Sequence, residues 1–345
     1  MRDRYWAKSR HAGRRDKLLT RSGITKALRG WFALEDFIEV EPQALQVSPG
    51  NETHLHAFAT EIVGLDGARS PRFLHTSPEF AMKKLLAAGE QRIFALTRVW
   101  RNREASPLHA NEFTMLEWYR VGAPLSALME DCAAILRLAA REGLTATARW
   151  RGRSCDLTAE PERLTLVEAF RRHAGVDLEP CLPEAGGAAR LAEEARRLGL
   201  RVGADDTWSD LFSKILCDRI EPALGVGRPT ILTAYPLSEA ALARPDPADP
   251  RFAERFELYV CGVELANAFG ELTDAAEQRR RFEADMEEKQ RIYGERYPLD
   301  EDFLAALAEM PPASGAALGF DRLAMLAAGA ERLDEVAWTP EPGPG

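Results

Sequence analysis

Ionisable side chains crowd residues 98 to 120, "RVWRNREASPLHANEFTMLEWYR", among them Arg101, Arg103, Glu104, His109, Glu112, Glu117 and Arg120. The runs "RIFALTRVW" and "EFTMLEWYRV" on either side of a polar loop have the composition of a β-hairpin. A hairpin needs an apolar face and a turn, but it has no use for this charge unless something charged meets it. In the second run a strand period of two puts Phe113, Met115, Glu117 and Tyr119 on one face. A carboxylate on a semi-buried face is costly unless it is paired. Arg101 or Arg103 on the neighbouring strand would satisfy Glu117, and so would the amine of a ligand.

Two further segments carry chemistry. "GVELANAFGELTD" holds Glu264, Asn267 and Glu271. Paired carboxylates beside an amide suit Mg²⁺, which takes one or two protein carboxylates and completes its shell with substrate phosphates. In "GAALGFDRLAML", Asp321 reads as the N-cap of a helix, with Arg322 in its first turn. An arginine there opposes the helix dipole by about 0.3 to 1 kcal/mol. Either an acid such as Asp321 pairs with it, or an anion waits at that helix end. "HLH" at His54 to His56 lacks a third metal ligand nearby and reads as a solvated strand.

The elements that must position these groups are legible in outline. Residues 16 to 36 carry Leu18, Leu19, Ile24, Leu28, Trp31 and Phe32 at helical spacing, and "FIEVE" then alternates as a strand does. Residues 123 to 141 read as an amphipathic helix. The composition changes after about Thr145; "LTLVEAFRRHAG" and "AARLAEEARRLG" read as helices and "ARPDPADP" as a turn-rich connector. "RFELYVCGVELANAF" returns to strand, followed by the charged helix "AAEQRRRFEADMEEKQRIYG", and "SGAALGFDRLAMLAAGA" is a strand of small residues feeding a helix.

The chain has 345 residues, 46% of them hydrophobic, enough for a substantial core. A net charge of −9 and a pI near 5.4 argue against general nucleic-acid affinity, which rests on Lys and Arg displacing counterions. No apolar run is long enough to span a membrane, and the basic N-terminus lacks a secretory apolar segment. A cytoplasmic protein is expected. Cys132, Cys155, Cys181, Cys217 and Cys261 are odd in number and widely spaced, indicating neither disulfides nor zinc.

Taken together, the three pieces resemble the signature motifs of class II aminoacyl-tRNA synthetases. The N-terminal helix with "FIEVEPQAL" resembles motif 1, "VWRNRE…HANEFTMLEWYR" motif 2 and "GAALGFDRL" motif 3. "TSPEFAMKKLL", "EFTMLEWYR", the "ELANAF" and "ELTD" pieces and "LGFDRLAML" are most similar to the lysyl-tRNA synthetase paralogues that attach β-lysine to translation elongation factor P, over nearly the whole chain. The resemblance implies an α+β fold, an antiparallel sheet flanked by helices. It implies a single catalytic domain over 1–345 with a helical insertion at about 145–250. The motif 1 helix begins near Lys17, leaving no room before it for an anticodon-binding domain, so tRNA binding is not expected.

Carried over residue by residue, the resemblance gives Arg101 the α-phosphate of ATP, Phe113 the adenine ring and Arg322 the γ-phosphate. Asn102, Arg103, Glu104, His109, Ala110, Leu265 and Gly319 complete the implied ATP contacts, and Glu264 and Glu271 would hold Mg²⁺. Ser77, Pro78, Glu79, Glu117, Tyr119, Asn267, Glu271 and Ala317 would line the amino-acid pocket, with the substrate amine answering Glu117. The implied partners are elongation factor P, β-lysine and a second copy of the chain, through the residue 17 to 45 region containing Trp31 and Phe32. Arg103 stands where the family often has Glu, leaving open whether Glu104 takes its adenine contact. Ala110 replaces a frequent Asn and Ala268 a frequent Gly.

Overall fold

Arg14, Leu18, Arg21, Ile24, Leu28 and Phe32 are the buried side chains of the first helix, α1 (Lys8–Leu34), and spacings of three and four residues make them one stripe. The helix begins ahead of the apolar periodicity because its early basic residues have partners: Arg14 Nε donates to the Glu335 carbonyl at 3.4 Å and Lys17 pairs with the Glu335 carboxylate. The computed structural model describes residues 4–183 and 186–340. They fold as two units, Met1–Ala123 with Leu272–Gly345, and Pro124–Glu271.

In the first unit α1 leads to β1 (Ile38–Glu39), β2 (Leu45–Gln46), β3 (Ala59–Val63), β4 (Arg69–Leu74), α2 (Glu79–Ala87), β5 (Arg92–Trp100) and β6 (Glu112–Val121). Only two residues of "FIEVE" pair as a strand, parallel to β5; β5 and β6 are antiparallel, as the hairpin reading requires. Phe32 locks α1 onto this sheet by stacking on Phe94 at 4.3 Å and meeting Trp118 edge-on at 6.0 Å.

The second unit contains α3 (Leu125–Glu142), the hairpin β7 (Thr147–Trp150) and β8 (Arg153–Asp156), β9 (Glu162–Thr165), α4 (Leu166–Ala169), α5 (Ala188–Arg197), α6 (Trp208–Ile215), β10 (Thr230–Pro236), β11 (Phe252–Val260) and β12 (Val263–Gly270). Four strands therefore share residues 145–250 with the helices. Thr165 with Glu168, and Thr207 with Asp210, form capping boxes on α4 and α6. Phe212 stacks between Phe170 at 5.3 Å and Trp208 at 5.1 Å, in a core of this unit's own. β11 turns into β12 through Cys261 and Gly262, both left-handed at φ 55° and 74°, the geometry of a two-residue hairpin with native twist.

The chain returns to the first unit with α7 (Ala275–Tyr293), α8 (Glu301–Glu309), β13 (Ala313–Gly319) and α9 (Phe320–Ala327). β13 lies antiparallel to β6. Phe303 of α8 stacks on Phe80 of α2 at 4.0 Å and fixes the helix whose first turn carries Glu79. The architecture is α+β, mainly antiparallel sheet flanked by helices. Among the described residues no helix is long and apolar enough to cross a membrane.

Candidate active site

Pairing of β5, β6 and β13 aligns Ala95, Glu117 and Ala317 across one row of the first unit's sheet. Two small neighbours leave width beside the carboxylate. Glu117 is 2% exposed and has one partner off the sheet and one on its own strand: Ser77 Oγ donates to Oε2 at 2.7 Å and Tyr119 Oη to Oε1 at 2.7 Å. Neither Arg101 nor Arg103 is its partner, so the ion pair open from sequence does not form. Burial, and then the charge of Glu79, push the Glu117 carboxyl up to about 8. Glu79 is bound in turn by Lys83 Nζ at 2.5 Å, one helical turn further along α2. Lys83 is itself only 1% exposed. With its proton in place Glu117 leaves this cluster neutral; once Glu117 ionises, two carboxylates face one ammonium, and a second cation in place of the proton restores the balance. Ser77 also accepts from the Glu79 N–H at 3.2 Å, which ties Ser77, Pro78 and Glu79 into the start of α2.

The loop between β5 and β6 forms a second cluster. The Arg101 guanidinium lies over the Phe113 ring, 5.4 Å from its centroid, and Nε donates to the Thr76 carbonyl at 3.2 Å. Among the described residues no carboxylate lies within ion-pair distance of it. Asn102 accepts from the Arg103 N–H at 2.8 Å and pairs its own N–H with the His56 carbonyl. Arg103 takes a left-handed conformation, φ 63°, and its side chain pairs with Glu295. Glu104 is positioned through its N–H on Asn111 Oδ1 at 3.1 Å. Arg322 donates from Nε to the Leu108 carbonyl at 3.1 Å and from Nη2 to His109 Nε2 at 2.9 Å. Partial burial, then the Arg322 charge, hold His109 below its ordinary value, which suits an acceptor nitrogen. Ala110 brings no polar side-chain group to this loop.

Motif 3 differs from expectation in one detail. α9 starts at Phe320 with Gly319 at the cap position, and Asp321 is not a cap. Its carboxylate is buried against Arg21 at 2.5 Å and accepts from the Thr114 N–H at 3.3 Å. Asp321 is thus committed to α1 and β6, and not to Arg322. "HLH" is likewise a loop and not a solvated strand: His56 is buried and pairs with Glu295 at 3.0 Å, and His54 Nδ1 hydrogen-bonds Tyr293 at 2.9 Å.

In the second unit β12 carries Glu264, Asn267 and Phe269. Residues three apart on a regular strand face opposite ways. Here the pairing with β11 slips between Leu258 and Tyr259, with Leu265 as the extra residue, so Glu264 turns to the face of Asn267 and Phe269. All three are half-buried while Leu265, Ala266 and Ala268 are buried. Glu271 follows the strand and is 1% exposed. Among the described residues no group of three or more His, Cys, Asp or Glu side chains could hold a metal. Glu264 and Glu271 can supply the one or two carboxylates that Mg²⁺ takes when phosphates complete its shell.

The family described as tRNA synthetases class II (D, K and N) matches residues 1–342. Proteins named "Elongation factor P--(R)-beta-lysine ligase" from Vibrio cholerae serotype O1, Sodalis glossinidius and Edwardsiella ictaluri are 40%, 39% and 40% identical to this chain. The first alignment covers 94% of this chain and 95% of its relative, the others 92% and 93%. The chain belongs to the class II tRNA synthetase family, among the elongation factor P--(R)-beta-lysine ligases. Within that family frame, two features escaped sequence reasoning. Lys83 was signalled by its place four residues after Glu79, but a lysine in "AMKKLL" reads as solvated. The Arg255 and Glu257 pair in "ERFELYV" reads as the exposed face of a strand, whereas both side chains are almost wholly enclosed, at 15% and 9% exposure.

Proposed function

We propose that this protein activates (R)-β-lysine with ATP and transfers it to a lysine side chain of elongation factor P. The observation that carries the reading is the Glu79, Lys83 and Glu117 cluster, where a ligand ammonium can take the place of the proton held on buried Glu117 and balance the two carboxylates. Arg101, half-buried over Phe113 and without a carboxylate partner among the described residues, supports nucleotide binding: a phosphate would supply its missing anion and the ring a stacking surface for adenine. Arg322 would meet the terminal phosphate, with His109, Glu104, Asn102 and Gly319 in the same nucleotide role. Arg103 is drawn to Glu295, which leaves Glu104 as the acid of this loop near His109 and Arg322.

Glu264 and Glu271 would hold Mg²⁺, which would supply charge neutralisation for the phosphates. The protein's own residues position and neutralise. The substrate carboxylate is already ionised at neutral pH, so its attack on the α-phosphorus needs no general base. It expels pyrophosphate and leaves an acyl adenylate. In the second step the ε-amine of the acceptor lysine attacks the acyl carbon, loses a proton and releases AMP. Asn267 and Ala317 are assigned to binding the amino acid, and residues 145–250 to an insertion in the catalytic domain. The protein acts in the cytoplasm as a homodimer without tRNA. Phe32 is turned into its own core, so the dimer contact falls to exposed Leu34, Ile38, Leu45 and Val47 in the same region.

The test is ATP–pyrophosphate exchange with a panel of amino acids, followed by transfer to elongation factor P and to tRNA. Exchange dependent on (R)-β-lysine and label in elongation factor P are the expected results. Exchange with α-lysine alone and label in tRNA would sink the proposal.

A further inference from the structure

Glu257 and Arg255 stand on one face of β11, two residues apart, opposite Asn267 and Phe269 of β12. Glu257 is enclosed by three donors: Tyr235 Oη and Tyr259 Oη each reach Oε2 at 2.6 Å, and Arg255 Nη2 reaches Oε1 at 2.6 Å. The Arg255 guanidinium is packed over the Tyr235 ring at 4.3 Å and the Phe269 ring at 5.8 Å, and Nη1 donates to the Glu239 carbonyl. Its remaining edge matters most: Nε donates to Asn267 Oδ1 at 3.2 Å.

A guanidinium is a planar fork that can only donate. With two corners fixed by Glu257 and the Glu239 carbonyl, the third decides which way the Asn267 amide is turned. Oδ1 must face Arg255, and the NH₂ group then points away with two donors to offer. An ammonium cannot accept from it. The substrate group that can is the carboxylate.

We propose that Arg255 is a positioning residue that orients the Asn267 amide to donate to the carboxylate end of the amino acid, with Glu257, Tyr235 and Tyr259 holding Arg255 in place. This rests on the placing of Asn267 in the amino-acid pocket under the proposed function. It also accounts for a charged pair enclosed in a strand ladder, which fold stability alone does not require, since a buried ion pair is often no more stabilising than apolar residues of similar volume.

The test is a double-mutant cycle in pyrophosphate exchange with Arg255→Lys, Asn267→Ala and both together, run with whichever amino acid of the panel supports exchange. Lysine keeps the charge beside Glu257 but has no fork with which to hold the amide as well. Each single variant should raise KM for the amino acid about 10- to 100-fold, the range of a lost charge-assisted hydrogen bond, with KM for ATP changed less than about threefold. In the Asn267→Ala background Arg255→Lys should add less than about twofold, because the group it orients is gone. Effects that multiply in full, or a rise in KM for ATP as large as that for the amino acid, would show a merely structural residue and overturn the proposal. So would an unchanged KM in Asn267→Ala. If Arg255→Lys does not fold, Tyr235→Phe takes its place in the cycle, with a smaller rise in KM that must also vanish beside Asn267→Ala. Exchange that runs on another amino acid but not (R)-β-lysine refutes the proposed substrate and leaves this cycle standing; no exchange with any amino acid overturns both.

Discussion

Ala317 on β13 stands directly opposite Glu117 on β6, so its methyl group borders the buried carboxylate proposed to receive the substrate amine. The family resemblance implies a place for Ala317 in the amino-acid pocket, and the register supplies a physical link to Glu117. A methyl beside the carboxylate narrows the room for an amine approaching from that side and leaves the room beside Ala95 unchanged. One methyl in a pocket is worth about 1 to 3 kcal/mol, or roughly 10- to 200-fold in discrimination. Ala317→Gly should therefore raise kcat/KM for α-lysine relative to (R)-β-lysine by a factor in that range. An unchanged ratio in pyrophosphate exchange removes Ala317 as the selector.

Glu117 makes amine binding pH-dependent. Its carboxyl, ordinarily at 4.5, is held up to about 8 by burial and then by Glu79, so the free protein carries a proton there at neutral pH. An ammonium ligand prefers the carboxylate and displaces that proton. Affinity for (R)-β-lysine should rise with pH up to about 8, approaching tenfold per unit at the acid end, and then level off. Calorimetry at pH 6.5 in buffers of different ionisation heat should show close to one proton released. The same shift acts on folding. Between 4.5 and 8 the folded chain binds this proton and the unfolded chain does not, so the Glu117 contribution to stability falls as pH rises through that window. Glu117→Gln should flatten both dependences, and a pH-independent wild type would contradict the assignment.

What the sequence made legible follows from how local each signal is. The β5–β6 hairpin, α1 and the strand feeding α9 announce themselves by period and by turn residues a few positions apart. The faces were harder. Strand period correctly grouped Phe113, Met115, Glu117 and Tyr119, but it could not show that Glu264 and Asn267 share a face, because the one-residue slip at Leu265 depends on the pairing partner. Partners distant in sequence were the least visible. Asp321 was read as a cap because capping is a local rule, and its capture by Arg21, 300 residues away in sequence, belongs to the packing of α1. Arg103 is drawn to Glu295 for the same kind of reason.

The bulge at Leu265 leads to a prediction about metal. By turning Glu264 to the face of Asn267, it makes an oxygen donor available where a regular strand would have hidden one. If Glu264 and Glu271 hold Mg²⁺ with the phosphates, Glu264→Gln and Glu271→Gln should each abolish adenylation. Glu264→Gln should leave the thermal midpoint nearly unchanged, since its side chain is half-buried; Glu271 is 1% exposed and its variant should be less stable. Raising Mg²⁺ should partly restore exchange in Glu264→Gln. Undiminished exchange in both variants would refute the metal assignment.

The last prediction separates the core of the N-terminal region from its outer face. Phe32 is fully buried, stacked on Phe94 and touching Phe37 and Trp118, whereas Leu34, two residues on, is 84% exposed and Ile38 is 55% exposed. Apolar side chains at that exposure gain nothing within one copy of the chain. Burying a leucine or isoleucine against a second copy is worth about 1.5 to 3 kcal/mol. Phe32→Ala should therefore cost about 3 to 5 kcal/mol of folding stability, as core aromatics do when truncated. Leu34→Glu with Ile38→Glu should leave the fold intact and place charges in the proposed self-complementary contact, where each meets its symmetry mate or another apolar group. Light scattering at micromolar concentration should give a dimer for the wild type and a monomer for the double variant. A monomeric wild type, or a double variant that remains dimeric, would move the interface away from this face.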